Sequence, residues 1–474
     1  MNHHIIKDQW WLKEEEPSAQ NSQSVFASRI STLWLVGTVV LLPVKIVNLP
    51  FNFEVVDAWV LMGLPIAVLF FLIGPRQYLS LSYILPIWLV LLSSFLSSFT
   101  APSPRNSLMV IFKEAYLFTW FLSLSILLYR IKPRHLRFVL IAWSIVIIGH
   151  GLLMIAQFLS PEIWRMTNAL GGNAARMEGY RAAGLFICDK AGCANKAAYF
   201  QLLGFVPVLL AGYSKRTTIL LSLFVILSML TTGSMGATLA LIAGIIVSGL
   251  TIAFLKRKLL LVFKYFIRIL LAVALLAGIF YLVTLANPTY GEHFQKIIVG
   301  RFEKSSGGRF NLWSRGIDAL LDHNAFLWGV GPENFRVVDA AQADNQLHND
   351  TLAFLVERGL IGVTGLAMFA IISIRRSLAI LKISSRSSET TQLQFVIFLA
   401  FIAATMEESL THQMFRTREL WMVLGIQEAI FFHFKTSSIA SEAAAIAPVP
   451  AAGLQPASSF PGHPLVQSKV TNEG

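Results

Sequence analysis

Long apolar stretches separated by short polar connections make up most of this 474-residue chain. Windows of roughly 17–25 apolar residues recur, and each is long enough to cross about 30 Å of hydrocarbon as a helix. The stretches are continuously apolar instead of alternating, which favours helices over a β-barrel. The pattern predicts twelve membrane spans, at about residues 31–49, 56–74, 79–99, 108–129, 137–159, 197–213, 217–232, 236–255, 259–286, 357–374, 393–410 and 419–434.

The two ends of the chain differ from this pattern. Residues 1–30 are polar and have no signal-peptide pattern, so we predict a cytoplasmic N-terminal segment. Residues 31–434 form the predicted transmembrane domain. Residues 435–474 are rich in Ala, Pro and Ser, and this composition predicts a disordered cytoplasmic tail.

The composition excludes a soluble globular protein. Hydrophobic residues make up 55% of the chain and charged residues 14%, whereas an ordinary soluble domain has about 25% charged residues. So few charges cannot cover the surface of the two or three domains that a soluble chain of this length would form. The net charge of +12 would suggest nucleic-acid binding in a soluble protein, but Lys and Arg also collect in the cytoplasmic loops of membrane proteins. We therefore predict no nucleic-acid partner.

The distribution of Lys and Arg over the short loops predicts the orientation. Fourteen lie in the short loops of one face and three in those of the other, which places both termini in the cytoplasm. The long loops at about 160–196 and 287–356 then lie outside, where we expect a helical cap. The second loop has the pattern of an amphipathic surface helix, formed by Phe310, Trp313, Ile317, Leu320 and Leu321. The predicted fold is an all-α polytopic membrane protein with about twelve transmembrane helices and this extracytoplasmic cap.

The outer loops carry the residues with candidate chemistry: Arg176, Arg181, Arg301, Arg309, Arg315, Arg336 and His348. Guanidinium groups suit a diphosphate because they form paired, charge-assisted hydrogen bonds to phosphate oxygens. A neutral histidine can take a proton from a sugar hydroxyl near neutral pH. The alternative is that these arginines only bind lipid headgroups, and composition leaves both interpretations open.

Several charged residues lie within the outer ends of predicted spans. Lys113 and Glu114 lie in the fourth span, and Glu407 and Glu408 lie near the end of the eleventh, shortly before Arg416. Ionisable groups inside a membrane are costly and indicate either function or an ion pair between helices. Both alternatives stay open.

No metal or cofactor site is predicted. Cys188 and Cys193 lie in the first outer loop, where an oxidising compartment would permit a disulfide; free thiols are the alternative. Two cysteines without a nearby histidine are too few for a zinc site. Gly329-Val330-Gly331 has no following Lys-Ser/Thr, so it predicts a turn and not a nucleotide-binding loop.

Four motifs, in order along the chain, carry a resemblance. These are Arg181-Ala-Ala-Gly184-Leu-Phe186, Arg309 with Trp313, Gly329-Val-Gly331-Pro-Glu-Asn-Phe335, and His348-Asn349 followed by Glu357, Gly359 and Gly362. Together they resemble the O-antigen ligase and O-antigen polymerase membrane proteins of bacterial surface-polysaccharide assembly. The first 150 residues are similar to that family only in hydropathy.

The resemblance implies a metal-independent glycosyltransferase of the bacterial inner membrane with its active face in the periplasm. Its donor would be an undecaprenyl-diphosphate-linked oligosaccharide, and its acceptor a glycan or lipid A–core. Membrane lipids and a chain-length regulator are further candidate partners, and no cofactor is implied. His348 would activate the acceptor hydroxyl and Arg309 would hold the diphosphate. The remaining candidate substrate contacts are Arg181, Arg315, Asn349 and Arg416.

One position departs from the family pattern. Ligases of the family usually carry an Arg in a Thr-x-Ser-Arg-like stretch, but here Met235 takes that place. A thioether cannot bind phosphate as a guanidinium does. Either another arginine, such as Arg181 or Arg315, supplies that charge, or the protein is not a typical ligase. This difference favours a polymerase slightly over a ligase. A transporter or flippase without covalent chemistry is the third alternative.

Overall fold

The computed structural model describes residues 22–44, 54–73, 81–169, 182–186, 192–256, 310–339, 347–384, 389–408 and 415–446, with single helical positions between 263 and 285. Its helices are α1 (Ser22–Leu41), α2 (Val55–Ile73), α3 (Ile84–Ser98), α4 (Pro104–Arg130), α5 (Pro133–Leu159), α6 (Pro161–Ala169), α7 (Gly192–Leu203), α8 (Phe205–Leu210), α9 (Lys215–Leu230), α10 (Met235–Lys256), α11 (310–322), α12 (Phe335–Val338), α13 (Asp350–Ser384), α14 (Glu389–Glu408) and α15 (Arg418–Ile446). A 3₁₀ turn at Leu81–Tyr83 precedes α3. The predicted all-helical class is confirmed for these residues.

Several of these helices are built for a membrane. Among the described residues, five are long and apolar enough to cross one: Val55–Ile73, Pro104–Arg130, Arg134–Leu159, Met235–Leu255 and Asp350–Ser384. Shorter apolar helices are Val25–Leu41, Ile84–Ser98, Ala194–Leu210 and Gln392–Ile402. The chain is therefore a membrane protein. Its total of twelve spans, its orientation and its extracytoplasmic cap stay predictions.

Described helices lie at eleven of the predicted spans, and the span at 259–286 falls almost wholly outside the described residues. The ends of some helices differ from the prediction. α1 begins at Ser22, within the segment that hydropathy assigns to the cytoplasm. α15 continues to Ile446, so the first part of the tail predicted to be disordered is helical. Hydropathy misses both extensions because a helix can continue through polar residues beyond the apolar stretch.

Buried aromatic rings hold the centre of the bundle together. Phe118 of α4 stacks on Phe369 of α13 with ring centroids 5.9 Å apart, and Trp421 of α15 meets both rings edge-on. Trp421 Nε1 donates to the Phe415 carbonyl at 2.9 Å. This contact joins the start of α15 to the turn before it, and the turn carries Arg416, a charged residue of the candidate site.

α13 is interrupted in its third turn. Gly359 has φ +64° and ψ −164°, which is not helical, so the carbonyls before it lose their helical partners. The glycine turn at 329–331 replaces them: Val330 N–H donates to Val356 O at 2.8 Å and Gly331 N–H to Glu357 O at 2.9 Å. A Cβ on Gly359 would lie 2.2 Å from the Leu327 carbonyl oxygen. Only glycine fits here, and the interruption docks the segment 325–335 onto α13.

Candidate functional site

A short turn before α13 presents His348. The residue has φ +49°, a conformation that non-glycine residues seldom adopt and that is frequent at functional sites. Asn349 Oδ1 accepts from Leu352 N–H at 2.8 Å and so caps the helix. Asp350 Oδ2 accepts from Phe415 N–H at 2.9 Å. The turn is thus held by its own helix and by the segment before α15, while His348 itself stays half-buried.

The surface helix α11 packs against the same turn. Trp313 Nε1 donates to the carbonyl of the buried Leu347 at 3.0 Å. A small apolar core lies between α11, the glycine turn and the first turns of α13, with Leu312, Leu320, Val330, Phe335, Leu347 and Val356 as its main members. The opposite face of α11 exposes Phe310 and Leu321, in keeping with a helix at a membrane surface. The first turn of α11 therefore lies beside His348.

Four charged side chains form a buried group that we call the charge quartet: Glu114, Glu357, Arg358 and Arg416. The guanidinium of Arg358 contacts the Glu114 carboxylate, and its Nη1 lies 3.4 Å from Glu357 Oε2. Arg416 approaches the same two carboxylates at 3.4 Å each. The side chains of Arg358 and Glu114 are each 1% exposed. With two positive and two negative charges, the quartet is neutral as a unit, as burial of charge requires.

Glu333 extends the quartet toward solvent. Its carboxylate contacts Arg416, and its Oε2 lies 3.7 Å from Arg336 Nε. Burial alone would raise the pKa of the Glu333 carboxyl, but Arg416 and then Arg336 outweigh it, so the pKa is lowered. For Arg416 the directions are reversed. Burial alone would lower the pKa of its guanidinium, but Glu333 and the neighbouring carboxylates raise that pKa above its usual range. Both groups are charged at neutral pH.

The segment that carries Glu333 is fastened to the N-terminal end of α4. Asn334 Nδ2 donates to Ser107 Oγ at 2.8 Å, and Asn334 Oδ1 accepts from Ser103 N–H at 2.7 Å. Glu333 has φ +58°, so the fastening holds a strained turn. As a result, α4, α13 and the segment before α15 meet at the charge quartet.

A second ion-pair group fixes the segment before α15. Arg418 Nε donates to Asp57 Oδ1 at 2.7 Å, and Arg418 Nη1 lies 2.9 Å from Glu54 Oε2. Tyr116 donates to the same Asp57 oxygen at 2.9 Å. Arg416 therefore lies between two anchors, Phe415 and Arg418, and its position is set by the fold.

The predicted site residues fall into two sets. His348 and Asn349 lie at the start of α13, and Arg416 follows Phe415, whose N–H donates to Asp350 in the first turn of that helix. Arg315 pairs with Asp339 through Nη2 and Oδ1 at 2.6 Å, and its side chain is 36% exposed. Arg181 and Arg309 lie outside the described residues, each directly before a described segment. Cys188 of the cysteine pair also lies outside them.

The described part of the Arg181 motif is buried against α5. Ala182 and Phe186 are almost fully buried. Gln157 Oε1 accepts from both Ala183 N–H at 2.9 Å and Gly184 N–H at 2.8 Å. One side-chain amide thus satisfies backbone groups that the membrane interior would leave without partners. At the position of the departure from the family pattern, Met235 begins α10 after a turn.

Sequence reasoning missed Arg358 and Glu333. An arginine within an apolar span is a signal in its own right, so Arg358 could have been selected from the sequence. Glu333 gave no such signal, because its role depends on a left-handed turn and on Arg416, 83 residues away. Arg416 was selected as a substrate contact, yet in the structure its guanidinium faces three glutamates.

The geometry can be compared with known proteins. Residues 218–367 match the family model described as O-antigen ligase. This stretch is similar to the O-antigen ligase family. The predicted resemblance to the O-antigen ligase and polymerase family is therefore confirmed, and the family supports an enzyme of polysaccharide assembly. No curated protein matches the chain.

The matched stretch covers 150 of the 474 residues and runs from α9 into α13. It includes His348, the sequence position of Arg309, and Arg358. Glu114 and Arg416, which complete the charge quartet, lie before and after it. The charge quartet is therefore assembled from the matched stretch and from two segments outside it.

Proposed function

We propose that the protein is an inner-membrane glycosyltransferase that polymerises undecaprenyl-diphosphate-linked repeat units on the periplasmic face. The observation that carries the proposal is the rigid turn at His348, which Trp313 of α11 contacts through Leu347 at 3.0 Å. Arg309 directly precedes the described part of α11. In this proposal the base and the diphosphate-binding cation therefore belong to adjoining segments of one O-antigen ligase domain.

The proposed reaction transfers a glycan between two oxygen atoms. An acceptor hydroxyl attacks the anomeric carbon of the donor, and His348 takes the hydroxyl proton as the new C–O bond forms. The bond between the anomeric carbon and the diphosphate oxygen breaks, and undecaprenyl diphosphate leaves with the electron pair. Arg309 stabilises the charge that develops on the leaving group, with Arg181 and Arg315 as further contacts. No metal ion has a role in this proposal.

Two of the candidate substrate contacts, Asn349 and Arg416, bind other parts of the protein in the structure, and this refines the proposal. Asn349 caps α13 through its side chain, so we assign it to positioning His348. Arg416 is held by Glu333 and the charge quartet, so we propose that it acts on the turn at His348 and not on the phosphates directly. Arg315 has one carboxylate partner and remains a candidate substrate contact.

The test uses purified protein in liposomes with lipid-linked repeat units. We expect longer glycans with the unchanged protein and none with His348→Ala or Arg309→Ala. The matched control is His323→Ala, because His323 is an exposed histidine at the end of α11. Full activity of His348→Ala and Arg309→Ala at normal expression would end the mechanistic proposal.

Ligation to lipid A–core is the alternative within the same chemistry. The two reactions differ in the acceptor, so a deletion strain separates them. Single repeat units left unpolymerised indicate a polymerase, whereas finished polymer retained on the carrier lipid indicates a ligase. Counterflow of substrate in liposomes without a glycosidic product would favour a transporter instead.

A further inference from the structure

A groove lies between α1 and α5, at the end of the bundle where α4 ends and α5 begins. The two helices pack against each other, and the groove has a volume of about 190 Å³. Its lining consists of Arg29, Thr32, Leu33, Val36, His135 and Phe138. Leu33 is 70% exposed and Phe138 56% exposed, so the walls are apolar and open to the surroundings of the bundle.

One serine fixes the polar rim of this groove. Ser28 Oγ accepts from Lys132 N–H at 3.1 Å and lies 2.7 Å from His135 Nδ1. These bonds join α1 to the turn between α4 and α5. Because Nδ1 is engaged by Ser28, Nε2 is the nitrogen of His135 that can meet a ligand. The rim is therefore a built feature and not a chance crossing of two helices.

The rim is positively charged. Arg29 and Arg134 are exposed, and within the described residues neither has a carboxylate within ion-pair distance. Arg29, Lys132 and Arg134 all act electrostatically on His135, so three cationic side chains lie near this imidazole. No described carboxylate lines the groove.

Other arginines at this end of the bundle are used by the protein itself. Arg130 Nη2 donates to the Phe70 carbonyl and Arg137 Nε to the Ala211 carbonyl, each at 3.0 Å. Both guanidinium groups thereby satisfy carbonyls at or near helix ends. Arg29 and Arg134 have no such bond among the described residues. They therefore indicate that the rim binds an anion that is not part of the protein.

We propose that the groove binds an anionic phospholipid. Its phosphate would sit at the rim of Arg29, Arg134 and His135, and an acyl chain would run along Leu33 and Phe138. Basic pockets between transmembrane helices suit such headgroups. A soluble phosphate would gain nothing from the apolar walls, and a zwitterionic headgroup would bring its own cation to a cationic rim. With the predicted orientation, the lipid belongs to the inner leaflet.

The experiment is native mass spectrometry of the full-length protein in detergent, titrated with phosphatidylglycerol or with phosphatidylcholine. We expect selective retention of phosphatidylglycerol and a loss of affinity on the order of tenfold in the double variant Arg29→Ala/Arg134→Ala. Both side chains are exposed, so the variant should fold. The matched control is Lys215→Ala/Arg216→Ala, which removes two exposed cations at the start of α9.

Three results would overturn the proposal. Equal retention of phosphatidylcholine would show that charge does not select the lipid. An equal loss of affinity for phosphatidylglycerol in the control variant would show that any basic loop attracts the lipid. Competition by soluble glycerol phosphate as strong as that by phosphatidylglycerol would show that the apolar walls contribute nothing. Because the groove is separate from His348, none of these results depends on glycosyltransferase activity.

Discussion

Removing one charge from the charge quartet should destabilise the protein strongly. Arg358 has Glu114 and Glu357 as partners, and its Nε also donates to Ser94 Oγ at 2.9 Å. Glu114→Gln leaves the quartet with a net positive charge, and Arg358→Met leaves it with a net negative one. Breaking a buried pair by removing one partner costs about 3–5 kcal/mol. That cost is a large part of an ordinary folding free energy of about 5–15 kcal/mol.

The double variant distinguishes electrostatics from packing. Glu114→Gln/Arg358→Met leaves Arg416 with Glu357, a neutral pair, so it should be less destabilised than the sum of the single variants. Interaction energies between neighbouring residues are about 0.5–3 kcal/mol, and we expect the upper part of that range. The assay is thermal unfolding in detergent followed by tryptophan fluorescence, at fixed protein and detergent concentrations. Single variants as stable as the unchanged protein, or strictly additive effects, would refute the reasoning.

Three further outcomes follow from the structure. Gly359→Ala should lower the free energy of unfolding by more than about 2 kcal/mol, because φ of Gly359 is +64° and other atoms occupy the place of a Cβ. Its control is Gly149→Ala, whose Cβ would meet nothing within 4 Å. In the same unfolding assay this control should be neutral or stabilising by up to about 1 kcal/mol. The pKa of Glu333 is lowered in the folded protein, so its ion pairs stabilise the fold above the unfolded pKa of about 4.3, and this stabilisation is lost as pH falls through the folded pKa. Glu333→Gln should therefore flatten the acid side of the curve of unfolding free energy against pH. An unchanged acid side contradicts this. Trp313→Phe removes the hydrogen bond to Leu347 and should lower the rate of glycan transfer while changing the melting temperature little. A rate equal to that of the unchanged protein would show that the bond does not position the turn.

Hydropathy predicted much of the bundle, because an apolar run long enough to cross a membrane has few other structures open to it. It placed α2 at 56–74, where the helix is Val55–Ile73. It failed at α13, which starts at Asp350 because Asn349 caps it, seven residues before the apolar run begins. A hydropathy window averages over many residues, so it does not detect a single capping residue or a polar helix end.

The candidate site was only partly predictable. His348 was selected from its motif, and its helix-start neighbour Asn349 supports that choice. The charge quartet could not be assembled from the sequence, because Glu114 and Arg358 are 244 positions apart and no periodicity links them. The same limit explains Arg416: its charge suggested a phosphate contact, but its carboxylate partners come from α4, α13 and the turn at Glu333.

The most direct test of the central claim follows both products of one reaction. Purified protein in liposomes with lipid-linked repeat units should release undecaprenyl diphosphate in equal amounts to the glycosidic bonds formed. His348→Ala should reduce both products together while leaving the melting temperature unchanged. Glycan lengthening that persists in His348→Ala, or transport of repeat units without release of the carrier, would contradict the account.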